Sequence, residues 1–100
     1  MNAVFKALAD PTRRQVLKLL KARAMTAGEL ASHFAVSKPT MSGHFAVLRE
    51  ADLVEPIRQG STITYHLKLS VLEEALLGFS GSFGIGESDS ALRGGRLVEE

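Results

Sequence analysis

Residues 37–48 combine two patterns that together suit contact with DNA. Met41, Phe45 and Leu48 recur at the i, i+4 and i+7 spacing of a helix and would lie on one buried side. The opposite side carries short or hydrogen-bonding residues and one lysine, with no carboxylate: Ser37, Lys38, Thr40, Ser42 and His44. Base edges in the major groove offer donors and acceptors, and the flanking phosphates repel anions. The pattern predicts the recognition helix of a helix-turn-helix.

Each of these polar residues also has a role that needs no DNA. Ser37 is first a helix N-cap, and a phosphate contact would be its second role. Lys38 lies in the first helical turn, where a cation is unfavourable to the helix dipole, and that cost favours a DNA contact. Thr40 and Ser42 suit base edges and phosphates equally well. His44 is expected to donate to a phosphate or a base, the alternative being a neutral surface histidine.

Three further residues complete the predicted DNA-binding surface. Gly43 falls mid-helix, where glycine costs roughly 1 kcal/mol relative to alanine, so either it lets the backbone approach DNA closely or the position is tolerant. Arg58 and Gln59 belong to a predicted turn further along the chain. Arg58 suits the negative potential of a narrow minor groove, and the alternative is an ordinary exposed turn residue.

Two helices are predicted ahead of the helix-turn-helix. The first covers residues 2–9, with an apolar stripe that includes Val4, Phe5 and Leu8. The second begins at Pro11, because Asp10 is a strong N-cap and proline suits the first helical position. Its inward residues are Val16, Leu17, Leu19 and Leu20.

Capping residues mark the two helices of the helix-turn-helix itself. Thr26 and Glu29, three residues apart, form a capping box that starts a third helix ending near Phe34. Ser37 caps the fourth helix, which ends near Ala51.

A hairpin follows the recognition helix and has the layout of a wing. Residues 53–57 predict a strand, in which Pro56 would be tolerated only at an edge or an end. Residues 58–61 predict the turn, and residues 62–67 alternate with high β propensity. The expected fold class is therefore mainly α with a β-hairpin wing.

Residues 70–83 predict a last helix that is almost apolar all round. A single chain of this size can hardly cover such a helix, which favours a homodimer. The interface is expected to use apolar residues of the first and last helices: Val4, Phe5, Leu8, Leu72, Leu76, Phe79 and Phe83. Residues 1–83 are thus predicted to form one DNA-binding and dimerisation domain. Residues 84–100, where Gly and Ser dilute the apolar residues, are predicted to be a flexible tail.

Charge is distributed unevenly along the chain. Residues 1–72 hold ten Lys and Arg against five Asp and Glu, and residues 73–100 hold two against six. The basic part contains the helix-turn-helix, as a nucleic-acid surface requires, although charges that merely coat a solvated face would give the same totals. The expected partner is double-stranded DNA.

Composition argues against several other functions. The chain has no cysteine, which excludes disulfides and thiolate metal sites. His33 and His66 have no second ligand at metal spacing, so no metal or other cofactor is expected. No nucleophile elbow or phosphate loop is present, so no catalytic residue is assigned and no enzyme is expected. Without a signal peptide or an apolar run of about 20 residues, no membrane insertion is expected and the predicted location is cytoplasmic.

Four segments together resemble the ArsR/SmtB family of winged helix-turn-helix repressors, and within it the SdpR-type autorepressors that lack metal-site cysteines. They are Phe5-Lys6-Ala7-Leu8-Ala9-Asp10-Pro11-Thr12-Arg13-Arg14, Met25-Thr26-Ala27-Gly28-Glu29-Leu30-Ala31, the recognition helix and the hairpin. The resemblance implies a homodimer built on the first and last helices. It also implies that the dimer binds an imperfect inverted repeat and blocks transcription, most simply of its own promoter.

The chain departs from its metal-sensing relatives at both family metal sites. Thr26, Ala27 and Gly28 stand where some relatives have Cys-Val-Cys, and the last helix has Glu73 and Glu74 but no His or Asp. Two alternatives remain open: a sensor of the same fold controlled by a small molecule or ion, and a winged-helix protein-interaction module. Since no metal constellation is visible, release of DNA is expected to depend on a regulatory protein partner or on protein concentration.

Overall fold

The computed structural model describes residues 2–85, which form five helices and a three-stranded antiparallel sheet. The helices are α1 (Asn2–Leu8), α2 (Pro11–Ala22), α3 (Ala27–Ala31), α4 (Lys38–Glu50) and α5 (Leu69–Ser82); the strands are β1 (Met25–Thr26), β2 (Val54–Gln59) and β3 (Thr62–Leu67). The predicted winged helix-turn-helix is confirmed. Most of the predicted tail, from residue 86 onward, lies outside the described residues.

α2 begins where the sequence predicts it, because Asp10 caps it. The Oδ1 atom of Asp10 accepts hydrogen bonds from the backbone N–H groups of Thr12 at 2.7 Å and Arg13 at 3.2 Å. Of the four residues predicted to point inward, Val16, Leu17 and Leu20 are buried, and Leu19 is partly buried against the core.

The capping box of α3 is present, but the helix is shorter than predicted. The N–H of Glu29 donates to Thr26 Oγ1 at 3.0 Å, and the N–H of Thr26 donates to Glu29 Oε1 at 2.9 Å. α3 ends at Ala31 instead of Phe34, because the N–H groups of His33 and Phe34 bond carbonyl oxygens three residues back and tighten the chain into a turn.

α4 starts and ends at strong local signals. Ser37 accepts a hydrogen bond from the N–H of Thr40 at 3.3 Å. At the other end, Asp52 takes a left-handed conformation with φ of 60°, and the N–H of Leu53 bonds the carbonyl oxygen of Leu48 at 3.1 Å. This is a Schellman arrangement with aspartate where glycine is usual, and it turns the chain into the wing.

The sheet contains one strand more than predicted. Its order is β1-β3-β2, so Pro56 lies on an outer strand, as the sequence requires. β1 is the unpredicted strand: Met25 pairs with Tyr65 and Thr26 with Thr64. The wing is thereby joined to the residue that caps α3.

The turn of the hairpin is tighter than the predicted residues 58–61. Arg58 pairs with Ile63 and Gln59 with Thr62, so both are the last residues of β2 and only two residues connect the strands. The first of these, Gly60, has φ of +61°, a conformation open to glycine at little cost.

One hydrophobic core contains side chains from the four helices α1, α2, α3 and α4 and from the sheet. Its fully buried side chains include Val16, Leu30, Leu48 and Leu53. The rings of Phe45 in α4 and Tyr65 in β3 stack with centroids 4.7 Å apart. α5 differs from the other long helices because none of its residues is buried.

Candidate nucleic-acid interface

α4 divides into an inner and an outer side as the sequence predicts. Met41, Phe45 and Leu48 are buried, whereas the predicted DNA-facing residues of this segment are exposed, except that His44 is half-buried: Ser37, Lys38, Thr40, Ser42 and Gly43. Ser37 both accepts from the N–H of Thr40 and donates its hydroxyl to Thr40 Oγ1 at 2.9 Å. Its primary role is therefore the helix cap.

The environment of Gly43 is open. Apart from its chain neighbours and the backbone of α4 itself, a methyl group added at this position would meet no atom of residues 2–85 within 4 Å. Packing among the described residues therefore does not require glycine at this position.

His44 has a partner that sequence analysis missed. Its Nδ1 atom lies 3.1 Å from Nη1 of Arg13, which is in the first turn of α2. The same guanidinium donates to carbonyl oxygens at the end of α1, from Nε to Ala7 at 2.9 Å and from Nη2 to Lys6 at 2.8 Å. Arg13 thus connects α1, α2 and α4. Arg13 and His44 are 31 positions apart in the sequence, so no local pattern predicts this contact.

Asp10 supports this arrangement from the cap of α2. Burial acts to raise the pKa of Asp10, but the backbone N–H groups of Arg13 and Thr12 stabilise the carboxylate more strongly. The pKa consequently lies below its ordinary value of 3.8. At neutral pH the ionised cap keeps the start of α2, and with it Arg13, in place.

Arg58 and Gln59 are exposed at the end of the wing. Within residues 2–85 neither side chain makes a hydrogen bond or an ion pair, although the positive charge of Arg58 partly opposes the burial that raises the pKa of Tyr65. The predicted wing residues are thus accessible, on a different element from the exposed side of α4.

Apolar side chains of α1 and α5 meet at the surface. Phe79 contacts Phe5 and Phe83, with ring centroids 5.0 Å apart in each pair. Beside them a groove of about 440 Å³ runs between α2 and α5, and its lining includes Leu8, Leu72 and Leu76. We call the six residues Phe5, Leu8, Leu72, Leu76, Phe79 and Phe83 the α1/α5 surface. Val4, also predicted for the interface, is only 6% exposed because it lies in the core of the single chain.

The acidic and histidine residues do not converge on a metal site within residues 2–85. Glu29 is occupied by the cap of α3 and by Arg23, whose Nη2 is 3.2 Å from its Oε2. The N–H of Thr26, followed by Arg23, lowers the pKa of Glu29 below its ordinary value. In the same part of the chain, no helix is long and apolar enough to cross a bilayer.

Known proteins resemble this chain over most of its length. A family model described as a helix-turn-helix domain matches residues 8–57. The transcriptional repressor SdpR of Bacillus subtilis (strain 168) is 43% identical over 89 residues, covering 89% of this chain and 99% of that protein. The HTH-type transcriptional regulator KmtR of Mycobacterium tuberculosis is 48% identical over 65 residues, covering 65% of this chain and 50% of that protein.

Solved structures agree with these sequence matches. An ArsR family transcriptional regulator superposes with a TM-score of 0.78 at 29% identity, covering 86% of this chain and 94% of that one. HlyU from Vibrio cholerae N16961 superposes with a TM-score of 0.62 at 30% identity, covering 75% of this chain and 87% of that one. With the exposed polar side of α4, these likenesses establish that the chain belongs to the ArsR family and is a DNA-binding transcriptional repressor, not an enzyme.

Proposed function

We propose that two copies of this repressor pair through the α1/α5 surface and place their α4 helices on an inverted-repeat operator, including one in the promoter of its own gene. The observation that carries the dimer is α5, a mostly apolar helix with no buried residue. Leu76 on this helix remains 45% exposed, and Phe83 directly after the helix remains 68% exposed in the single chain. In a two-fold interface each of the two subunits would bury this same apolar area.

In the proposed complex, α4 enters the major groove and the wing meets the flanking backbone. Lys38, Thr40, Ser42 and His44 would contact base edges or phosphates, since the first three are exposed on α4 and His44 is half-buried beside them. Gly43 would allow the backbone of α4 to come close to the DNA. Arg58 and Gln59 at the end of the wing would contact phosphates and the minor groove.

Selection of bound duplexes from a random pool tests the operator. The enriched sequence should contain two inverted half-sites, and mapping it onto the source genome should find a match upstream of the gene that encodes this chain. An enriched site without two-fold symmetry would contradict the dimeric arrangement. Failure to enrich any duplex would favour the alternative in which the winged fold serves protein interaction.

Salt titrations separate positioning contacts from base reading. Lys38→Ala should weaken operator binding by roughly 1 to 3 kcal/mol if the ammonium reads a base or makes a strong phosphate contact. Arg58→Ala should lower affinity for operator and scrambled duplex alike, and shrink the salt slope by about one unit. Lys21→Ala is the control for losing one exposed cation outside α4 and the wing, and because Lys21 borders the groove between α2 and α5, sedimentation of this variant must first show an unchanged dimer. Wild-type affinity in both test variants would refute this DNA-facing surface.

A further inference from the structure

Arg13 occupies a fixed position between three helices. It belongs to the first turn of α2, where Asp10 accepts a hydrogen bond from its backbone N–H. Its Nε and Nη2 atoms bond the carbonyl oxygens of Ala7 and Lys6 at the end of α1. With two of its three nitrogens held in this way, the planar guanidinium has little freedom to turn. The third nitrogen, Nη1, is directed at Nδ1 of His44.

The chemistry of this contact fixes the direction of the hydrogen bond. A guanidinium has only donors and stays charged at any ordinary pH, so Nη1 must donate and Nδ1 must accept. An imidazole that accepts at Nδ1 is neutral and carries its proton on Nε2. A protonated imidazole would instead set a second N–H and a second positive charge against the guanidinium at 3.1 Å.

We propose that Arg13 is a positioning residue that holds His44 in the Nε2–H form, so that His44 meets DNA only as a hydrogen-bond donor. This proposal rests on the proposed function, because it takes His44 to contact DNA. A donor pairs with phosphate oxygens, with N7 and O6 of guanine, with N7 of adenine and with O4 of thymine. The exposed edge of cytosine offers only a donor, so His44 would disfavour cytosine at the position it contacts.

Arg14 provides a matched control for Arg13. It is the next residue of α2 and also donates to the end of α1, from Nη1 to the carbonyl oxygen of Leu8 at 2.7 Å. Within residues 2–85, Arg14 makes no hydrogen bond to His44. Arg14→Gln therefore removes a comparable contact between α1 and α2 without changing the partner of the histidine.

The imidazole nitrogen-15 chemical shifts and long-range proton couplings of His44, recorded at neutral pH, test the tautomer directly. The wild-type protein and Arg14→Gln should both show an unprotonated Nδ1 and a protonated Nε2. Arg13→Gln should show a mixture of the two tautomers. A protonated Nδ1 in the wild-type protein would overturn the inference whatever the variants do, and an unchanged tautomer in folded Arg13→Gln would overturn the role of Arg13.

A double-mutant cycle on the selected operator tests whether Arg13 acts through His44. Arg13→Gln should weaken binding by about tenfold, a size typical of coupled neighbours. His44→Ala should weaken it comparably, and the double variant should be no weaker than His44→Ala alone. Independent losses that multiply in the double variant, or wild-type affinity in His44→Ala, would overturn the proposal. Operator binding by the wild-type protein is scored separately, so failure of the inference is distinguishable from failure of the proposed function.

Discussion

Truncation of Leu76 at the proposed dimer interface has an effect that can be worked out from the structure. Leu76→Ala removes three carbon atoms, and complete burial of such groups is worth about 0.8 kcal/mol each, or about 2.4 kcal/mol in all. Because 45% of Leu76 is still exposed in the single chain, about 1.1 kcal/mol remains to be gained on association. In a two-fold interface the loss counts twice, which gives about 2.2 kcal/mol and about a 40-fold weaker dimer.

Ile57→Ala is the matched control for this measurement. Ile57 lies on β2 of the wing and is 44% exposed, so it presents nearly the same exposed fraction as Leu76 on a different surface. Sedimentation equilibrium at several protein concentrations should give a dimer at micromolar concentration for the wild-type protein and Ile57→Ala. Leu76→Ala should show a dissociation constant raised about 40-fold.

The proposed interface is refuted if the wild-type protein is a clean monomer at micromolar concentration. It is equally refuted if Ile57→Ala weakens the dimer and Leu76→Ala does not, because the interface would then involve the wing. Circular dichroism of each variant verifies that the fold is retained, so that a change in mass reports association.

Three other predictions concern acid, glycine and metal. The lowered pKa of Asp10 means that its contribution to stability is complete above its ordinary value of 3.8 and is lost as the pH falls below it. Urea unfolding over a pH series should therefore show a steeper acid loss in the wild-type protein than in Asp10→Asn, and equal slopes would contradict this. Gly43→Ala should raise the free energy of unfolding by up to about 1 kcal/mol, because the added methyl meets open space in a helix. The same variant should weaken operator binding, and unchanged affinity would indicate a merely tolerant position. Operator affinity should not respond to zinc, copper or a chelator; a tenfold change on adding zinc, about 1.4 kcal/mol of coupling, would reveal a site formed by residues such as His33 or His66.

Features that depend on neighbouring residues could be predicted from the sequence. Asp10 before Pro11 and the Thr26–Glu29 capping box each act within one helical turn, and both start helices where they were expected. The inward side of α4 follows from helical spacing alone. Capping residues and helical spacing were therefore sufficient to predict the fold class and the exposed side of α4.

Features that depend on distant residues could not be predicted. β1 exists only because Met25 and Thr26 meet β3 about forty positions later, and two residues carry no strand pattern of their own. The bond from Arg13 to His44 likewise depends on how α2 packs against α4. In the hairpin, Gln59 pairs with Thr62, so β2 extends into the predicted turn. The end of β2 could not be predicted from its own residues, because the register depends on both strands.

The wing is attached to the helix-turn-helix at the end of the hairpin opposite its turn, so the distance between α4 and the wing is fixed. β1 ties the hairpin to the start of α3, and the stacked rings of Phe45 and Tyr65 tie it to α4. In the proposed complex, the fixed distance between α4 and the wing would have to match the distance between a major groove and the neighbouring DNA backbone. An A-form duplex, whose major groove is deep and narrow, should be refused even when every base of the operator is correct. The repressor would therefore not bind double-stranded RNA that carries the sequence of its operator.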